Sequence, residues 1–129
     1  MNRMLLAVMI LAFGADGIAF ADGKIVRTEL TRADAPGSAT HEVIVARLEI
    51  HPGGTVPLHT HHGDEHLIIV KGGPMKTAAG KVVNFNDGMV AHFLQGKVHG
   101  GLTSIGKETV IAYTTHIVEK GKPLNIPAN

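Results

Sequence analysis

Cysteine and tryptophan are both absent from the 129 residues, and the aromatic set is reduced to four phenylalanines and one tyrosine. Without cysteine there is no disulfide scaffold, thiolate metal site, cysteine nucleophile or cysteine-linked lipid. Charge is also nearly balanced, with 12 basic and 11 acidic residues for a formal net charge of +1. No basic patch or stripe stands out, so a nucleic-acid partner is not expected. There is no N-x-[ST] sequon, G-x-S-x-G, P-loop or dinucleotide fingerprint, which leaves serine-esterase and nucleotide chemistry without motif support. What the chain has in quantity is histidine, nine residues, and glycine, sixteen, against a hydrophobic content of 44% that argues for a folded core.

The first 21 residues read MNRMLLAVMILAFGADGIAFA. Arg3 provides a positive start, Met4 to Phe13 is uninterruptedly apolar, and Ala19 and Ala21 form an A-x-A cleavage pattern. The apolar run is too short to cross a bilayer of about 30 Å. Residues 1–21 are therefore expected to be a cleaved signal peptide, which predicts a periplasmic protein with no membrane partner once the leader is gone. Residues 22–129 follow as one domain, at a length that still permits a sizeable core. Its only aromatics are Phe85, Phe93 and Tyr113.

That domain reads as all-β. Runs rich in Val, Ile and Thr alternate with glycine-bearing turns, the pattern of a sandwich or barrel. Strands are expected at Lys24–Leu30, Glu42–Ile50, Thr55–His61, His66–Lys71, Met75–Ala78, Lys81–Phe85, Met89–Leu94 and Thr109–Val118. Turn chemistry separates them at Pro52–Gly54, Gly63–Asp64, Gly72–Pro74 and Asn86–Gly88, among others. Within Glu42–Ile50, period-two alternation puts Ile44, Ala46, Leu48 and Ile50 on one face. The stretch Lys120–Asn129, with Pro123 and Pro127, is expected to be an extended arm or frayed end.

Chemistry concentrates between Gly53 and Gly72, GGTVPLHTHHGDEHLIIVKG. His59 and His61 are two apart and share one face of a strand. Glu65 follows a Gly63–Asp64 turn that can bring its carboxylate back to that face. Two imidazoles and a carboxylate on a rigid sheet suit a divalent metal, although H-x-H pairs also arise by chance on solvent-facing strands. Spacing alone does not choose among His92, His99 and His116 for a further ligand.

The spacing G-x5-H-x-H-x3-E-x6-G from Gly53 to Gly72 reproduces the first motif of the cupin family, and the chain resembles a small single-domain bacterial cupin. A second motif, G-x5-P-x-G-x2-H-x3-N, aligns from Gly88 with Leu94 at the proline, Gly96, His99, and Thr103 at the asparagine. The resemblance implies a double-stranded β-helix of jelly-roll type, with the barrel at about residues 41–118. It also implies a metal held by His59, His61, Glu65 and His99, the last assigned by the motif.

Such a ligand set would leave a divalent ion with one uncompensated positive charge and open coordination positions, unlike a closed structural zinc site. The implied cofactor is one divalent transition metal, Zn, Cu, Mn, Fe or Ni, and the implied partner a small anionic or chelating molecule. Three function classes stay open: a non-redox lyase, isomerase or hydrolytic enzyme, a metal-dependent dioxygenase of quercetin-dioxygenase type, and a non-catalytic metal- or ligand-binding module. Candidate catalytic or substrate residues are His92, His116 and Arg47, the last with the competing role of a paired structural arginine. His41, His51, His62 and His66 are expected outside the site. A homodimer is expected from the resemblance, with Lys24–Leu30 as an available edge strand.

Overall fold

The computed structural model describes residues 23–129; the expected signal peptide at 1–21 lies outside the described residues. Eleven strands follow in order: β1 (Ile25–Asp34), β2 (His41–Ile50), β3 (Thr55–Val56), β4 (His59–Thr60), β5 (Gly63–Lys71), β6 (Gly73–Thr77), β7 (Val82–Phe85), β8 (Val90–Phe93), β9 (Leu102–Ser104), β10 (Val110–Glu119) and β11 (Ile126–Pro127). Among the described residues there is no helix, as the all-β reading expected. The strands form a five-stranded sheet in the order β1-β2-β10-β5-β8, a four-stranded sheet in the order β3-β9-β6-β7, and the pair β11-β4.

Alternation along β2 and β10 builds the interior. In β2, Glu42, Ile44, Ala46, Leu48 and Ile50 are buried, and in β10 Val110, Ala112, Thr114, His116 and Val118 are buried. These two strands pair in register from Val110 against Ile50 to Glu119 against His41. The interior thus divides lengthwise. One end is a dry core of Ile25, Leu48, Ile50, Ile69, Met75, Val110 and Ala112, against which Val56, Leu67, Phe85, Met89 and Leu102 of both large sheets pack. The other end is polar, with Arg27, Thr114, His116, Glu65, His61 and His59 buried. Apolar burial at about 25 cal/mol per Å² stabilises the first half; the second half retains buried polar groups that need partners.

Several strand boundaries differ from expectation, each for a physical reason. Thr55–His61 is not one strand: Pro57, with no N–H to give a ladder, separates β3 from β4. Gly63 and Asp64 are not a turn but the first residues of β5. Gly63 lies so close to the β10 main chain that a side chain there would strike the Ile117 carbonyl. Glu65 therefore reaches the interior by strand alternation rather than by a turn. Gly73 and Pro74 likewise begin β6 instead of completing a turn.

The stretch after β10 is not frayed. Ile126 and Pro127 pair with Thr60 and His59, and Ala128 N–H donates to the Leu58 carbonyl at 3.0 Å. Strand β9, too short to show a period, was not anticipated; it pairs with both β3 and β6.

Candidate metal centre

The two motif histidines enter the interior from β4 and the residue after it. A reciprocal main-chain pair ties them to the second motif: His59 N–H donates to the His99 carbonyl at 2.9 Å and His99 N–H to the His59 carbonyl at 3.0 Å. The next residue must be glycine. Gly100 has φ of +92°, and a Cβ there would strike the Pro57 carbonyl and lie 3.2 Å from His59 Nδ1.

Each of the three imidazoles is oriented by a main-chain carbonyl. His59 Nδ1 donates to Pro57 O at 2.8 Å, His61 Nδ1 to Leu124 O at 2.6 Å, and His99 Nδ1 to Lys97 O at 2.8 Å. A carbonyl can only accept, so the proton of each neutral ring sits on Nδ1 and the lone pair on Nε2. Those lone pairs converge. His61 Nε2 and His99 Nε2 are 3.2 Å apart and lie 3.0 and 2.8 Å from Glu65 Oε2. One ligand atom from each of His59, His61, Glu65 and His99 lies within 4.8 Å of the others. Acceptors brought this close repel unless a proton or a metal cation lies between them. This donor set, three imidazole nitrogens and a carboxylate oxygen with no sulfur, fits a divalent transition metal.

The titration tendencies follow the same geometry. Burial alone would raise the Glu65 carboxyl, but the adjoining His61 and His99 rings, which donate from Nε2 whenever they carry a second proton, outweigh it and hold the group well below the usual carboxylate range. Burial pushes His59 down to about 4, with His99 and His61 adding to the effect against the Pro57 carbonyl. For His99 burial is outweighed by Glu65 and the Lys97 carbonyl, which raise it.

Behind Glu65 stand two residues with a different role. His116, fully buried, is the register partner of Glu65 across β10 and β5. Its Nε2 lies 3.7 Å from Glu65 Oε1 and accepts from Arg27 Nη1 at 2.9 Å. Burial pushes His116 down to about 3, with Glu65 opposing and Arg27 adding. Arg27 also donates to Thr114 Oγ1 at 3.1 Å. Its own pKa is lowered by burial, against the attraction of Glu65.

Beside the cluster is a partly open recess of about 70 Å³, lined by Arg27, His59, Glu65 and His99 together with Leu48, Leu67, Met75, Phe85 and Phe93. Phe93 stacks on His99 with ring centroids 4.0 Å apart and planes within 6°.

The structure thus brings together His59, His61, Glu65 and His99, and places His116 behind them. It does not bring in His92 or Arg47. His92 faces outward on β8, with 46% of its side chain exposed. Arg47 is on the outward-facing set of β2 and pairs with Glu49 at 2.7 Å. His41 bonds Thr40 and His51 bonds Thr109, away from the cluster. Sequence reasoning missed Arg27, which was read only as part of an edge strand. The signal was available in its alternation with Ile25, which puts both on the inward face of β1. It also missed Phe93, whose ring braces His99.

An all-β double-stranded β-helix with three histidines and a glutamate gathered in its interior has the cupin fold. No family model matches the sequence. Among solved structures, the chain is similar to an uncharacterized protein with a double-stranded β-helix domain from Klebsiella pneumoniae. That pair has a TM-score of 0.60 and 21% identity over 84% of this chain and 88% of the other. It is also similar to the polyketide cyclase RemF from Streptomyces resistomycificus, with a TM-score of 0.58 and 18% identity over 82% and 73%. In sequence it is 35% identical to germin-like protein subfamily 3 member 3 of Arabidopsis thaliana, over 79% of this chain and 52% of that protein. The chain spans about half the length of this curated relative. Together the structural likenesses show that the chain has this double-stranded β-helix fold.

Proposed function

We propose that this is an exported, metal-dependent cupin that takes a small anionic or chelating molecule at its interior site and acts on it by non-redox chemistry, as a lyase, isomerase or hydrolytic enzyme. The observation that carries the reading is the convergence of Nε2 lone pairs and the Glu65 carboxylate, with every ligand histidine oriented from behind by a carbonyl. A divalent ion held there would supply Lewis acidity to a bound oxygen atom. The chain's own residues supply the rest. Arg27 places a buried positive charge at the cavity, which favours an anionic head group. Leu48, Leu67, Met75 and Phe93 keep the adjoining space apolar and exclude water from the group bound there. A recess of about 70 Å³ beside the cluster suits a small head group.

The same apolar wall favours a second reading, a metal-dependent dioxygenase, because an apolar recess beside the cluster would also admit dioxygen. Export to the periplasm rests on the leader pattern of residues 1–21, and homodimerisation on the position of β1 at the edge of the five-stranded sheet among the described residues.

Elemental analysis of the exported protein beside His61→Ala and His99→Ala tests the metal claim. Stoichiometric metal in the wild type, lost from both variants' interior sites, is expected; a wild type that takes up no metal overturns it. Turnover of small oxyanions by the zinc-loaded protein without oxygen uptake supports the first reading. Oxygen uptake with an iron, copper, nickel or manganese load replaces it with the second.

A further inference from the structure

A second group of metal-ligating side chains stands on the opposite surface of the same strands. In β5, Glu65 is buried, while Asp64 and His66, its neighbours, face outward. In β8, Phe93 turns inward onto His99 and His92 turns outward. His66 and His92 are register partners across the β5–β8 ladder, so the main chain itself holds the two imidazoles side by side. Their ring centroids are 4.1 Å apart and their planes within 10°.

Asp64, two residues before His66, shares that face. Its Oδ1 accepts from the Gln95 main-chain N–H at 2.9 Å, and its Oδ2 lies 3.0 Å from His92 Nε2. One ligand atom from each of the three residues lies within 4.8 Å of the others.

We propose that Asp64, His66 and His92 form a second, solvent-open site for a divalent transition metal, independent of the interior cluster. Two imidazoles and a carboxylate suit zinc or copper(II), and three protein ligands leave further positions for water or an added ligand. Zinc–nitrogen bonds are about 2.0–2.1 Å, so the stacked rings must turn until their lone pairs converge. Both rings stand on an exposed face, and turning them disturbs no packed interior. Asp64 needs no such adjustment, because the Gln95 N–H already anchors it. Beside the group runs a groove of about 400 Å³, walled by Ile68, Val90, Tyr113 and Thr115, with room for a further small ligand at the open positions.

The test is zinc titration of the chelator-stripped full chain, read by equilibrium dialysis, with copper(II) paramagnetic resonance as a spectroscopic check. Wild type is expected to show two binding steps. The double substitution His66→Asn with His92→Asn removes the weaker step or weakens it at least about tenfold, and Asp64→Asn weakens it as well. The separate variant His99→Asn keeps that step while losing the interior one, so failure of the interior reading is distinguishable from failure of this one. A weaker step that survives the double substitution overturns the proposal. So does a wild-type chain with one step that the double substitution leaves unchanged.

Discussion

His116 Nε2 lies 3.7 Å from Glu65 Oε1 and 2.9 Å from Arg27 Nη1, so a neutral, fully buried imidazole stands between a guanidinium and the carboxylate of the interior His/Glu cluster. The arrangement keeps a positive charge close to the centre without making Arg27 a direct partner of Glu65. Burying such a charge costs free energy unless its donors are used; Arg27 uses Nη1 on both Thr114 and His116, while its buried Nε has no partner.

Arg27→Gln removes that charge and loosens the hold on His116. Urea denaturation of the metal-free protein should show a loss of about 2 kcal/mol, in the range for buried hydrogen bonds to charged groups. Affinity for an anionic ligand should fall while the interior metal stoichiometry stays unchanged. Unaltered stability and unaltered anion affinity together would rule out the role given to Arg27.

The depressed pKa of His116 has a defined sign in acid. In the folded chain it titrates near 3, well below the ordinary histidine value. Between about pH 6.5 and 3 the unfolded chain therefore holds a proton at this position that the folded chain does not. Its contribution to stability is complete above that window and declines as pH falls through it. His59, pushed down to about 4, acts in the same direction, and the raised His99 acts against both. His116→Gln should flatten the acid loss of the metal-free protein by up to about 1.4 kcal/mol per pH unit. Parallel denaturation curves at pH 7 and pH 4.5 provide the comparison.

Deleting residues 122–129 takes away the Leu124 carbonyl and the β11–β4 pairing together. His61 then loses its Nδ1 acceptor. Loss of such an orienting partner typically lowers metal affinity by about 10- to 100-fold. Calorimetric titration should show the drop in the interior step only, since Asp64, His66 and His92 make none of these contacts. An interior affinity equal to that of the full chain would show that the carbonyl does not orient the ligand.

Gly100→Ala forces a Cβ into a φ of +92° and against the Pro57 carbonyl. A destabilisation of more than about 1 kcal/mol is expected. Because Gly100 directly follows His99, interior metal affinity should fall as well. Gly80→Ala, also at positive φ but with open space around it, should cost stability without touching metal affinity.

The central strands were legible because their alternation is regular. Ile44, Ala46, Leu48 and Ile50 are buried in β2 as period two demands. The proximity of His59, His61 and Glu65 was legible in local spacing, but the route of Glu65 was not. Gly63 was read as a turn residue, whereas its missing side chain serves a close approach of two strands. His99 lies 38 residues from His61 and was placed by motif, since nothing in its neighbourhood distinguishes it from His92.

The alternation on β8 does distinguish them in three dimensions: His92 points out while Phe93 points in. Arg27 stayed hidden because one charged residue on an edge strand reads as solvent-facing. Here the bulge between Glu29 and Thr31 divides β1 into a buried start and an exposed end. Strand β11, only two residues long, has no periodicity to read.

The bond from His61 to Leu124 crosses 63 residues of chain. During synthesis, His59 and His61 emerge well before the carbonyl that aims His61. An ion meeting the nascent chain would find His61 without its Leu124 acceptor, which is in place only after residue 124 has been made and docked. A metal taken up by the interior cluster would therefore be selected where folding finishes, whichever ions the unfolded chain passes on the way.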